Sequence, residues 1–133
     1  MYRIGIVVAL ALPIIGCNGN GEEGRMGGPL CPMALETAGV VVEIRDAQTN
    51  EPAATGAVGT LRDGTYVETM SPFGVAAGSE LLSLAGAFNR PGTYDVTVQK
   101  AGYVDWSAHN VAAIEGNCGV VPVTLDARLM PVP

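Results

Sequence analysis

Between positions 92 and 100, Tyr94, Val96 and Val98 fall on one side of an extended chain, and Thr93, Asp95, Thr97 and Gln99 on the other. A period of two is the signature of a strand buried on one face. Such a strand demands a second apolar layer opposite it, and the chain carries more of the same pattern. Val40, Val42 and Ile44 alternate with Val41, Glu43 and Arg45. Near the end, Val121, Val123, Leu125, Ala127 and Leu129 are expected inward, with Pro122, Thr124, Asp126 and Arg128 outward. No segment carries a helical stripe, and the apolar runs are short, β-branched and punctuated by Gly, Pro and Asp. These features predict an all-β fold, an antiparallel β-sandwich of about seven strands.

The remaining strands are read from turns. Asp46, Asn50 and Pro52 stop the first strand. Asp63-Gly64 is expected to turn a hairpin between strands at 55–61 and 65–70, and a further strand is expected at 79–84. Pro122 cannot donate to a ladder, which marks a sheet edge or a strand start.

The first 16 residues read differently. Arg3 precedes an apolar run from Ile4 to Ile15, followed by Gly16-Cys17. The run is about a dozen residues, short of the roughly 20 that cross a bilayer as a helix. A charged start, a short apolar core and a small residue at the cut site make a secretory signal peptide. Ile14-Ile15-Gly16-Cys17 resembles the bacterial lipobox, and the resemblance implies a lipid on Cys17 as residue one of the mature chain. It further implies a bacterial cell-envelope protein anchored to the membrane. Asn18, not Asp, follows the Cys and suits an outer-membrane address.

The segment after Cys17, Asn18-Gly19-Asn20-Gly21-Glu22-Glu23-Gly24, has no apolar periodicity and cannot offset its ordering entropy. It reads as a flexible tether. The organisation expected is therefore a signal peptide over 1–16, a lipidated Cys and tether over 17–32, and one domain over 33–133. Seven basic against 13 acidic residues give a net charge of −6, and loss of Arg3 with the leader makes it −7. That balance excludes nucleic acid, whose phosphates require basic patches. It also leaves membrane contact to the acyl chains, which hold stably only in combination. With Cys17 assigned to lipid, Cys31 and Cys118 remain as an even pair in an oxidising compartment, and a structural disulfide is expected. No close Cys spacing with a nearby His suggests a metal or redox site instead.

The segment 40–57, with Asp46, Thr49, Pro52 and Gly56-Ala57, resembles the carboxypeptidase regulatory-like domain, whose first strand runs into an Asp-x-x-Thr-Gly-x-Pro turn. Gly92-Thr93-Tyr94 and Lys100-Ala101-Gly102-Tyr103 are similar to that family's Gly-x-Tyr strand and Lys-x-Gly-Tyr turn. Asn50 stands where the family has Gly, and 70–88 departs from its pattern. The resemblance implies a transthyretin-like or Ig-like sandwich that accompanies peptidases and envelope proteins without catalysing anything. It also places the Tyr103 ring as a cap on the core, its hydroxyl on a backbone partner.

Little chemistry is visible. His109 is the single histidine, and Asp105 and Ser107 would share its face in a strand, but a row is not a converging triad. Glu43, Asp46, Asp63 and Asp95 lie on separate segments without the dense Asp spacing of a calcium loop. No cofactor and no metal site are expected, apart from a single cation at a loop cluster as an alternative. Tyr103 and Trp106 are the candidate rings for stacking on a sugar. The reading is a non-catalytic anchored module with a binding or structural role, acting through an envelope protein partner. Carbohydrate or peptidoglycan binding is the alternative, and a hydrolase built on His109 comes third.

Overall fold

A computed structural model of the chain describes residues 31, 36–75, 78 and 80–133. The leader, Cys17 and the glycine-rich segment lie outside the described residues. Every regular element within them is a strand: β1 Val40–Asp46, β2 Val58–Asp63, β3 Tyr66–Thr69, β4 Ser71–Val75, β5 Leu81–Gly86, β6 Gly92–Gln99, β7 Trp106–Gly116, β8 Gly119–Val121 and β9 Val123–Leu129. They form a sandwich of two sheets, ordered β4-β5-β1-β9 and β3-β2-β6-β7-β8.

The alternating sets make the core, as the period predicts. Val40, Val42 and Ile44 of β1 are fully buried, and so are Tyr94, Val96 and Val98 of β6, where they meet Leu61, Leu84, Ala127 and Leu129. Gly39, entering β1, is tied by its N–H to the Gly86 and Ala87 carbonyls at 3.1 Å each. A Cβ there would lie 2.8 Å from the Ala87 oxygen, so only glycine lets the two segments approach this closely. The β2–β3 hairpin forms as expected, with Asp63 paired to Tyr66. Its central residues are Gly64 and Thr65, and Gly64 carries the positive φ of 60° that such a turn needs at its first central position.

The described residues hold nine strands where about seven were expected. β4 was not anticipated because Ser71-Pro72-Phe73-Gly74-Val75 has the composition of a loop, yet it pairs antiparallel with β5 at the sheet edge. Such an edge tolerates a proline. β7, 11 residues long, was not read as a strand. Its apolar alternation is interrupted at His109-Asn110, where the β6–β7 register shifts and Asn110 takes a positive φ of 55°. An extra residue at a bulge inverts the pattern midway. The sandwich is also not purely antiparallel, since β1 and β9 pair in parallel from Val40↔Val123 to Asp46↔Leu129.

The expected single last strand is two. β8 pairs with β7 in one sheet and β9 with β1 in the other, and Pro122 stands between them outside both ladders. The Val123 N–H donates to the Gly39 carbonyl at 2.9 Å and starts the second ladder. Crossing between sheets resets the alternation. Val120 is therefore buried at 6% exposure and Val121 is exposed at 44%, which corrects the inward placement expected for Val121.

Candidate functional site

Cys31 and Cys118 are joined, S–S 2.09 Å, closing a loop of 87 residues. Cys118 sits in the tight turn between β7 and β8, so the bond ties the chain's entry to that hairpin tip. Beside it lies an open groove of about 480 Å³ lined by Thr37 and residues 116–122. A second hollow of about 340 Å³ is bounded by Glu51, Pro52 and Glu80.

At the opposite end of the sheets, the turn after β1 is organised by Asp46. Its carboxylate accepts the N–H groups of Gln48 at 2.7 Å and Thr49 at 3.0 Å, forming an Asx turn. Asn50 then adopts φ 62°, a left-handed conformation that Asn tolerates. The Tyr103 hydroxyl donates to the same carboxylate at 2.7 Å. Hydrogen bonds from the Thr49 backbone, the Tyr103 hydroxyl and the Gln48 backbone hold Asp46 below the ordinary carboxylate range, and the hydrogen bond to Asp46, followed by burial, raises the Tyr103 phenol. The hydroxyl partner is thus a carboxylate 57 positions away, not a backbone group.

Both candidate sugar-stacking rings are half-buried and pack against the core. Tyr103 also has the Lys100 ammonium 5.4 Å from its ring centroid, while that ammonium donates to the Ala53 carbonyl at 3.0 Å. Trp106 begins β7 on the inward side, register-paired with Val98.

The candidate hydrolytic residues are placed apart. His109 and Ser107 share the outer face of β7, but the imidazole Nδ1 lies 3.2 Å from Asp95 on β6, not from Asp105. Asp105 instead accepts from the Gln99 amide at 3.0 Å. The His109 and Asp95 side chains are 70% and 58% exposed, so the pair is screened by water. Among the described residues no group of three His, Cys, Asp or Glu side chains converges as metal ligands.

One partly buried cluster was not visible in sequence. The Arg90 guanidinium stacks 3.7 Å from the Tyr66 ring centroid, bonds Asp63 at 3.0 Å and donates to the Tyr94 hydroxyl at 2.8 Å. That hydroxyl donates back to the Arg90 carbonyl at 2.7 Å. The Tyr94 and Asp63 bonds raise the Arg90 pKa, and burial, followed by Glu68, raises that of Tyr66. These bonds hold the loop before β6 against the β2–β3 hairpin.

Comparison with protein-family models finds no match, and comparison with curated proteins finds no relative.

Proposed function

We propose that this chain is a non-catalytic module of the bacterial cell envelope, anchored by lipid on Cys17, with a binding or structural role exerted through a protein partner. The observation that carries this reading is the employment of its polar side chains. Asp46, Tyr103, Arg90, Asp63 and Tyr94 are engaged with one another or with nearby backbone. What such a framework offers its surroundings is a rigid surface. The leader and the small residue before Cys17 support the anchor, and the oxidised Cys31–Cys118 pair fits the exported compartment such a leader implies. Similarity of the 40–57 and 92–103 segments to carboxypeptidase regulatory-like domains supports a module that accompanies other envelope proteins.

Growth with a radioactive fatty acid tests the anchor. Wild-type protein takes up label and Cys17→Ala does not; equal labelling of the two removes the anchored reading.

A further inference from the structure

The Cys31–Cys118 bond stands apart from the contacts that hold the two sheets together. Cys118 is a central residue of the turn between β7 and β8, which the Gly116–Gly119 pair closes, and both cysteines are exposed. Neither belongs to the core cluster. Cys118 also lines the open groove of about 480 Å³, together with Thr37 and its own neighbours from 116 to 122. Gly116 and Gly119 bring no side chain to shield the sulfur. None of the lining residues is charged, so no carboxylate in the groove wall repels an incoming thiolate. Thiol–disulfide exchange depends on such access to a sulfur, and exposed bonds are the exchangeable ones.

Breaking the bond leaves the other ties of the domain in place. The β8 ladder keeps its pairs with β7, and Val120 keeps its place in the core at 6% exposure. At the entry to β1, the Thr37 N–H donates to the Asn89 Oδ1 at 3.2 Å and the Asn89 N–H to the Thr37 carbonyl at 2.9 Å. Cys31 has no comparable second hold among the described residues. Apart from the bond, its sulfur lies 3.4 Å from the Asn117 carbonyl oxygen, an acceptor for the S–H of the reduced residue. Reduction therefore moves the first fixed point of the chain from Cys31 to Thr37 and leaves the sandwich standing. Six residues join Cys31 to Thr37, so the freed thiol stays at high local concentration near Cys118 and favours reclosure. The bond rests closed, and lasting cleavage takes a reductant with a second thiol.

We propose that the Cys31–Cys118 bond is a redox-exchange site of the folded domain, opened by a dithiol protein that brings its thiolate into the groove at Cys118. The partner thiolate bonds to the Cys118 Sγ, and the Cys31–Cys118 bond breaks with its electron pair leaving on the Cys31 Sγ, which takes a proton from water. The partner's second thiolate then attacks the partner sulfur of the mixed disulfide, and Cys118 leaves with the electron pair and is protonated in turn. The domain gains two electrons and two protons, and the partner's dithiol becomes a disulfide. The step is independent of whether Cys17 carries lipid.

The full chain carrying Cys17→Ala, whose only thiols are Cys31 and Cys118, tests it. Treatment with dithiothreitol, acid quenching, alkylation and mass measurement should show two alkyl groups added at a rate proportional to reductant and changed less than about twofold by 1 M urea. Cleavage that waits on global unfolding accelerates at least about fivefold per molar urea. That result, or a rate that levels off with rising reductant, overturns the exchange site. The reduced chain should keep the Trp106 emission of the oxidised one at 25 °C, and an unfolded spectrum overturns the claim that the sandwich stands without the bond. A thioredoxin-like protein whose second reactive cysteine is replaced by serine should be captured on Cys118, leaving a free thiol on Cys31. An adduct on Cys31, or no adduct, overturns the docking of the thiolate at Cys118.

Discussion

Opening the disulfide isolates the contribution of a cross-link with unusual clarity here. Cys31 and Cys118 are both exposed, so serine at either position uncovers no core. The bond closes 87 residues, and loop-closure entropy for that length corresponds to about 4.6 kcal/mol at 25 °C. Set against the roughly 5–15 kcal/mol that holds a typical domain together, this is a large share. For about 100 ordered residues it corresponds to a fall in melting temperature of roughly 20 °C. Trp106, the single tryptophan, is half-buried against the core and reports unfolding by fluorescence. Urea titration of the oxidised protein and of Cys31→Ser/Cys118→Ser should therefore give folded states with the same emission and midpoints far apart. Cys31→Ser alone should lose as much as the double variant, because either change opens the loop. A loss under about 1 kcal/mol would refute the loop-closure argument, as would single and double variants differing by more than about 0.5 kcal/mol.

Other perturbations probe the remaining structural inferences. Tyr94→Phe deletes the hydroxyl that bridges the Arg90 carbonyl and guanidinium, and should cost about 1–3 kcal/mol in urea unfolding; an unchanged midpoint would show the bridge to be idle. Asp46 has a depressed folded-state pKa, so its contribution is present above the unfolded value and is lost as pH falls through the folded one. Wild-type stability should therefore drop more steeply below about pH 4 than that of Asp46→Asn, and parallel pH profiles would exclude the Asx turn as the cause. Val120→Thr buries a hydroxyl and should cost about 1–3 kcal/mol, whereas Val121→Thr should stay within about 0.5 kcal/mol. The reverse order, read by thermal melts, would mean that Pro122 does not reset the alternation. Gly39→Ala drives a Cβ to 2.8 Å from the Ala87 oxygen and should cost at least about 1 kcal/mol by forcing β1 and β5 apart; a melting temperature within a degree of wild type would contradict the close approach.

The two central strands were legible because their evidence is local. Val40, Val42 and Ile44, and Tyr94, Val96 and Val98, alternate without interruption, and a one-residue slip would turn each set to solvent. The hairpin at Gly64 was legible for the same reason, although the turn is centred one residue later than Asp63-Gly64 suggests. Legibility ended where the pattern was broken by a device whose effect depends on another strand. Asn110 at its bulge hid β7, Pro72 and Gly74 disguised β4, and Pro122 misdirected Val121. The Cys31–Cys118 pairing was reached by counting thiols, while Asp46–Tyr103 could not be, because residue types 57 positions apart carry no mark of proximity.

By itself the sequence determined the class of fold and the identity of the deepest core residues. Those properties follow from periodicity and from transfer of side chains out of water, and both act residue by residue. The tertiary structure alone decided the parallel pairing of β1 with β9, the exchange of sheets at Pro122, and the carboxylate that receives the Tyr103 hydroxyl. It also decided that the Cys31–Cys118 bond lies at an exposed hairpin tip beside an open groove. These are relations between distant residues, fixed by how two twisted sheets close on a common core.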